Sequence, residues 1–145
     1  MGECQQEVEK EVEDIHVFFV EWFTGTADRE SYEDRFVSRF DTNAFFTGPD
    51  GVLLEYDSLM EGMRGAHGTN PDFRIAIRDV VVRHESADQI IATYTEWQIN
   101  AVNAPRSNNG RQSTAVLNRG NTLSWLSVQE TWLPEEMQEA GPYNF

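Results

Sequence analysis

Glu130 lies between Val128 and Trp132 in Leu126-Ser127-Val128-Gln129-Glu130-Thr131-Trp132, a segment whose alternate positions are apolar. Such alternation reads as a strand with one face toward a core. Leu126, Val128 and Trp132 cannot all face that core unless Glu130 does too, barring a bulge. A carboxylate in that setting needs a cationic partner, or it keeps its proton well above the ordinary range. Arg111 is the candidate partner. If Arg111, Ser113, Ala115 and Leu117 point inward on strand 111–118, the guanidinium meets Glu130 and holds it ionised; the other reading is a solvated pair at the sheet rim. A Glu with a raised pKa can move a proton next to a carbonyl. His67, at the end of an amphipathic helix, is the second candidate, as a general base at a cavity mouth. The alternative for His67 is a histidine simply satisfied at a helix end.

Other chemistries find little footing. His16 and His84 have no supporting constellation, and no two His or carboxylates stand at metal-ligand spacing on an expected helix, so neither metal nor cofactor is expected. Ser113-Thr114 has no recognisable His/Asp companions, and no Gly-rich phosphate loop occurs. The single Cys4 excludes an intrachain disulfide and a cysteine zinc site and reads as inert. The net charge is -14, from 25 acids against 11 bases. Phosphate backbones and anionic membranes repel such a surface, so neither nucleic acid nor membrane is an expected partner. No run of eighteen apolar residues occurs. The acidic start Met1-Gly2-Glu3 is unlike a signal peptide, and Gln6 stands where a myristoylation motif wants Ser or Thr, which points to the cytoplasm. The excess of acids over a single Lys fits either a soluble acidic protein or a salt-adapted one.

The elements that must position these residues follow from periodicity. Val8, Val12, Ile15, Phe19 and Trp22 make a helical stripe, predicting a helix over 5–23 that stops at Gly25. A second helix is predicted over 32–40, capped by Ser31 and striped by Tyr32, Phe36 and Phe40. Two short strands, 44–46 and 52–54, flank the turn Gly48-Pro49-Asp50-Gly51. A third helix, about 59–66, has Ser58 and Glu61 as a capping box. Four strands follow, at about 73–84, 89–101, 111–118 and 125–133, with links short enough for an antiparallel meander. The tail from about 135 to 145 is acidic and reads as mobile. The whole chain, 1–145, is one α+β domain, with N-terminal helices packed on a curved antiparallel sheet.

Apolarity assigns the faces. Phe73, Ile75 and Ile77, then Ile91, Thr93, Thr95, Trp97 and Ile99, should meet the helices. That puts Tyr94, Glu96 and Gln98 on the outer face with Trp125 and Gln129. Glu96 is then explained by cross-strand pairing with Arg74 and Arg78. Exposed Tyr94 and Trp125 suggest contacts between protomers, with Glu96, Gln98 and Gln129 beside them.

Several segments, in this order, resemble the nuclear transport factor 2-like superfamily: Phe19-x-x-Trp22-Phe23, Gly51-x-Leu53, Tyr94-x-Glu96-Trp97-Gln98, Arg111-x-Ser113-Thr114 and Trp125-x-x-Val128-x-Glu130-Thr131-Trp132. They look most like its SnoaL-like, ketosteroid-isomerase-like and kinase-association-domain-like bacterial members. The resemblance implies a cone of helices closed by a curved sheet (the cystatin-like roll), a cavity between them, and dimers through the outer sheet face. It does not fix the activity. The isomerases' Asp base and Tyr/Asp oxyanion pair have no counterpart that can be placed here, and Gln129 and Thr131 stand where association-type relatives often carry His. Three readings stay open. The first is a homodimer whose cavity binds a small apolar or carboxylate-bearing molecule, with Phe19, Trp22, Trp97 and Trp132 as walls and Arg111, Glu130 and His67 as polar contacts. The second is a lyase or isomerase using Glu130 or His67. The third is a non-catalytic dimerisation module.

Overall fold

The computed structural model describes residues 2–145. Val8, Val12, Ile15, Phe18 and Trp22 form the buried side of helix α1 (Gly2–Thr24), at the spacing that returns to one face every three or four residues. Gly25 ends α1 at φ +85, and a Cβ on it would lie 3.2 Å from the Cα of Gly68. The two segments touch there because the N–H groups of Gly68 and Asn70 donate to the carbonyls of Trp22 and Phe23, both at 2.9 Å. The end of α1 is thus closed by a distant loop.

The expected helix over 32–40 is shorter. Helix α2 (Tyr32–Arg35) lies between 3-10 turns at Arg29–Ser31 and Val37–Arg39, and Phe40 already opens strand β1 (Phe40–Thr47). Ser31 turns its hydroxyl back to the Asp28 carbonyl instead of capping α2. Strand β2 (Leu53–Glu55) runs straight into α3 (Tyr56–Arg64), which starts before Ser58 and has no side-chain cap. Strands β3 (Arg74–Glu85), β4 (Gln89–Ile99), β5 (Asn109–Arg119) and β6 (Leu123–Trp132) form the expected meander. The sheet order is β2-β1-β6-β5-β4-β3. It is mixed rather than antiparallel throughout, because β1 joins β6 in parallel. Such a pairing needs a long connection, and here everything between the two strands supplies it. No helix among the described residues is long and apolar enough to cross a membrane.

Two irregularities reset the faces. Asp79, at φ +57, sits where the β3–β4 register slips between Arg78 and Val81, so Ile77 and Val80 both pack on the core. On β6, the register slips between the Leu117–Trp125 and Val116–Ser127 pairs. Trp125 and Val128 therefore share the inner face, and Leu126 is not part of the core. Strand β4 is turned over relative to the apolarity rule. Ile90, Ala92 and Tyr94 are buried against the helices, Glu96 and Gln98 follow on the same row, and Ile91 is exposed. The rule fails because the inner row ends in polar residues, while Trp97 on the outer row finds separate cover. Trp97 lies opposite Ala76 and Gly110, and Tyr143 of the tail meets it edge-on at 5.5 Å. That tail forms helix α4 (Glu135–Ala140), where Gln138 donates to the Leu133 carbonyl and receives the Tyr143 hydroxyl on its own.

Candidate functional site: a buried ionic wall in an apolar cavity

The helices and the inner sheet face enclose a cavity of about 390 Å³. Most of its surface is apolar: Phe19 and Phe23 from α1, Phe36 after α2, Phe40 and Phe46 from β1, Met63 from α3. One wall is not. Neighbouring strands put Glu96 opposite Arg111, Tyr94 opposite Ser113, and Ser113 opposite Glu130. Register alone therefore gathers the ionisable groups into one patch. The patch continues to a mouth between the end of α3 and the loop after β4, where Gln98, Asn103 and Arg111 are reached from outside.

His16 enters this wall from α1. Its Nδ1 lies 2.7 Å from the Val12 carbonyl and its Nε2 lies 3.1 Å from Glu96 Oε1. A carbonyl and a carboxylate both accept, so both ring nitrogens must donate, which is the imidazolium form. Burial pushes the His16 pKa down, but the Glu96 charge and hydrogen bond outweigh it and the net shift is up. Burial raises Glu96, and the His16 charge and hydrogen bond, Arg111 and Gln98 more than reverse this, leaving Glu96 at about 2. Its Oε2 accepts from Gln98 Nε2 at 2.6 Å. Gln98 Oε1 in turn accepts from Arg111 Nη2 at 3.0 Å. Arg111 also donates through Nη2 to Asn109 Oδ1 and through Nη1 to Glu130 Oε1, both at 2.9 Å, and lies 4.7 Å over the Trp132 ring.

Glu130 is the group that stands apart. Burial and then the Glu96 charge raise it, and Arg111 only partly opposes them, so its carboxyl reaches about 7. Arg111 meets Glu130 as alternation required, but it does not hold it ionised across the acid range. The second Glu130 oxygen has one long contact, 3.5 Å from the Ser113 hydroxyl. A carboxyl half-protonated near neutrality, with an oxygen free on a cavity wall, is able to give or take a proton.

The other expected site residues are distributed differently. Phe19 lines the cavity. Trp22 lies behind it in the core, its indole N–H donating to the Met63 carbonyl at 2.6 Å. His67 is not at the cavity: it meets Trp22 edge-on at 4.4 Å, and its Nε2 lies 2.7 Å from the Ala27 carbonyl. Trp97 is on the opposite side of the sheet. Tyr94, Glu96, Gln98 and Trp125, expected outside as protomer contacts, all point into the cone, and the Trp125 N–H donates to Glu11 Oε2 at 2.9 Å. Gln129 alone of that set faces outward and is exposed. Reading Glu96 as an outer-face partner of Arg74 and Arg78 is corrected with them. The sequence reading missed His16, Gln98 and Asn109 as members of the wall. Ile90, Ala92 and Tyr94 alternate as cleanly as the row chosen instead, and would have turned β4 the right way. Among the described residues no group of three or more His, Cys, Asp or Glu is arranged to hold a metal ion.

Comparison with solved structures places the fold. An NTF-2 like protein of unknown function from Pseudomonas aeruginosa shares 27% identity over 88% of this chain and 99% of its own, at a TM-score of 0.78. The chain shares the fold of the NTF2-like superfamily. A protein from Streptomyces avermitilis, proposed to be a dehydratase of the NTF2-like family, matches at 13% identity and TM-score 0.70, over 92% of this chain and 98% of its own. The CaMKII hub of S. rosetta matches at 14% and 0.62, over 86% and 95%. No family model and no curated protein matches the chain. The α+β, cystatin-like architecture is thereby shown, and this superfamily fold is host to proteins of different roles.

Proposed function

We propose that this NTF2-like protein binds a small, partly apolar molecule in its cavity, with a carbonyl or carboxylate end on the ionic wall, and that Glu130 exchanges a proton with it. The observation that carries this is the Glu130 carboxyl, buried, raised to about 7 and keeping one oxygen almost unbonded beside the cavity. Arg111, fixed by Gln98 and Asn109, would hold the polar end. His16 would keep Glu96 ionised, and the Glu96 charge, larger in its effect on Glu130 than the opposing His16 charge, would maintain the high proton affinity of Glu130. Lyase and isomerase reactions that start by removing a proton beside a carbonyl fit this arrangement. The α-proton exchange of 2-tetralone in D2O, followed by NMR, tests it. The protein should accelerate exchange, and Glu130→Gln should reduce that acceleration by about 10²-fold or more. Exchange at the buffer rate would remove the acid–base role.

The chain also acts, in this proposal, as a homodimer through the outer sheet face. The outward positions of β4, β5 and β6 carry no carboxylate, among them Thr93, Thr95, Gln112, Thr114, Gln129 and Thr131. On a chain of charge -14 this is where a second copy meets least repulsion. Light scattering should give a dimer at micromolar concentration, and Thr93→Glu with Thr114→Glu should give monomers. A wild-type monomer would rule the dimer out.

A further inference from the structure

The ionic wall is balanced before any ligand arrives. His16 is opposed by Glu96 at 3.1 Å and Arg111 by Glu130 at 2.9 Å, and all four residues are at least nine-tenths buried. Inside the cavity the other elements add nothing to this balance, and at its mouth Glu61 of α3 is the one carboxylate beside Arg111. β1 and α3 contribute only apolar or glycine positions to its lining, and Tyr94 is the remaining ionisable neighbour, its hydroxyl pushed up by burial and so neutral. An anion entering this patch makes three negative groups against two positive ones in a medium that solvates charge poorly. The arrangement has one place to absorb the difference. Glu96 is tied at both oxygens, to His16 and to Gln98. Glu130 is tied firmly at one oxygen only. Arg111, for its part, uses three of its five N–H groups on Glu130, Gln98 and Asn109, and its Nη1 has a second hydrogen uncommitted.

We infer that the ligand enters as a carboxylate and that the protein takes up one proton with it, Glu130 becoming the neutral donor beside the ligand while Arg111 keeps the positive charge. This rests on the cavity being a binding site, as proposed above. The proton comes from solvent, and the pair formed is an O–H donor facing a carboxylate, the strong, charge-assisted kind of hydrogen bond. The same groups offer a neutral ligand no comparable gain, because Glu130 and Arg111 then have no charge to redistribute. Burial and the Glu96 charge, which already favour the protonated form of Glu130, act in the same direction. The apolar remainder of the cavity selects carboxylic acids on a compact hydrophobic or aromatic body.

Isothermal titration of the full chain with 2-naphthoate and with its uncharged isostere 2-naphthamide separates the possibilities. Both compounds keep a fixed charge between pH 6 and 9. The naphthoate should bind at least tenfold more tightly than the amide at pH 7. Titrations in phosphate and in Tris, which differ in ionisation enthalpy, should show net proton uptake that grows toward one per ligand as the pH rises to 8.5. Affinity for naphthoate should fall about tenfold per pH unit above pH 7.5. Glu130→Gln should still bind naphthoate, with no uptake and an affinity flat from pH 6 to 9. Amide binding as tight as the acid, or wild-type binding of the acid without proton uptake, overturns the inference and leaves the cavity as a site for neutral molecules. If neither compound binds, the inference and the ligand-binding reading fall together. The wild-type buffer comparison decides the matter even if the Gln variant folds poorly.

Discussion

Glu96 and Glu130 share a wall, and their neighbours move their protons in opposite directions. Glu130 rises from 4.5 to about 7, so the folded state binds its proton more tightly than the unfolded chain does. Its stabilising contribution is complete below about 4.5 and is lost as pH rises through 7, a loss on the order of 3 kcal/mol. Glu96 falls to about 2; its contribution is present above about 4.5 and is lost as pH falls toward 2. His16, raised above 6.5, has the same sign as Glu130. Urea denaturation from pH 3 to 9 should therefore show maximal stability near pH 4.5 and a decline toward neutrality. In Glu130→Gln the decline between pH 5 and 7 should largely disappear; an unchanged profile would mean that Glu130 is not the titrating group. His16→Phe leaves Glu96 buried without its cation and should cost about 3–5 kcal/mol at pH 7, and less at pH 4, where the orphaned carboxyl can take a proton. Denaturant midpoints at the two pH values test this. Glu130 and Arg111 were legible in the sequence because a charge on an apolar row is conspicuous. His16 and Glu96 were not, since each is polar among polar neighbours until the register brings them together.

The strands set where those side chains go, and two of them depart from plain alternation. The bulge at Asp79 holds a non-glycine residue at φ +57, a conformation that costs about 1–2 kcal/mol for most L-residues and less for Asp. Asp79→Gly should leave stability equal or raise it by up to about 1 kcal/mol, whereas Asp79→Val should lower it by more than about 1 kcal/mol; thermal melts of the pair check the sign. On the outer face, a Cβ at Gly110 would stand 2.5 Å from the Trp97 ring and 2.9 Å from Leu133 Cδ1. Gly110→Ala must push the ring off its seat, costing about 1–3 kcal/mol, and should free Tyr143, seen as increased proteolysis of the tail. A variant with wild-type stability and an intact tail would show that Trp97 yields easily. Long, periodic elements were read well from sequence: α1 and the meander lie within a few residues of their expected limits. The third helix is likewise shifted by only two or three residues, whereas the second, expected over 32–40, keeps only Tyr32–Arg35 because Phe40 already opens β1. Trp125 was misplaced for a single reason, the bulge on β6, which no pattern in that segment announces.

At the scale of the molecule, charge dominates the surface as strongly as apolar contact dominates the inside. A net charge of -14 on 145 residues makes the folded chain repel itself, and added salt screens that repulsion. The melting temperature should rise by several degrees between 0.05 and 1 M NaCl. The ion pairs Arg35–Glu21, Arg106–Glu135 and Arg119–Glu85 are partly exposed and will weaken in salt, but such pairs are worth little each. A melting temperature that falls with salt would show them to outweigh the net repulsion. The fold class was legible because helices came first and alternating strands last. The mixed sheet was not, since nothing local to β1 says which edge it will join.

That edge has a bearing on how the chain is made. Phe45 of β1 pairs with Ser127 of β6, so the first strand synthesised waits for the last. Until the ribosome has released β6, the β1–β2 hairpin has no sheet to join, and the aromatic side of α1 is covered from one direction only. Long-range parallel closure of this kind is slow and leaves apolar surface open in the meantime. The acids on the other side of α1 carry their charge folded or not, so half-finished copies repel one another while that final strand is still to come.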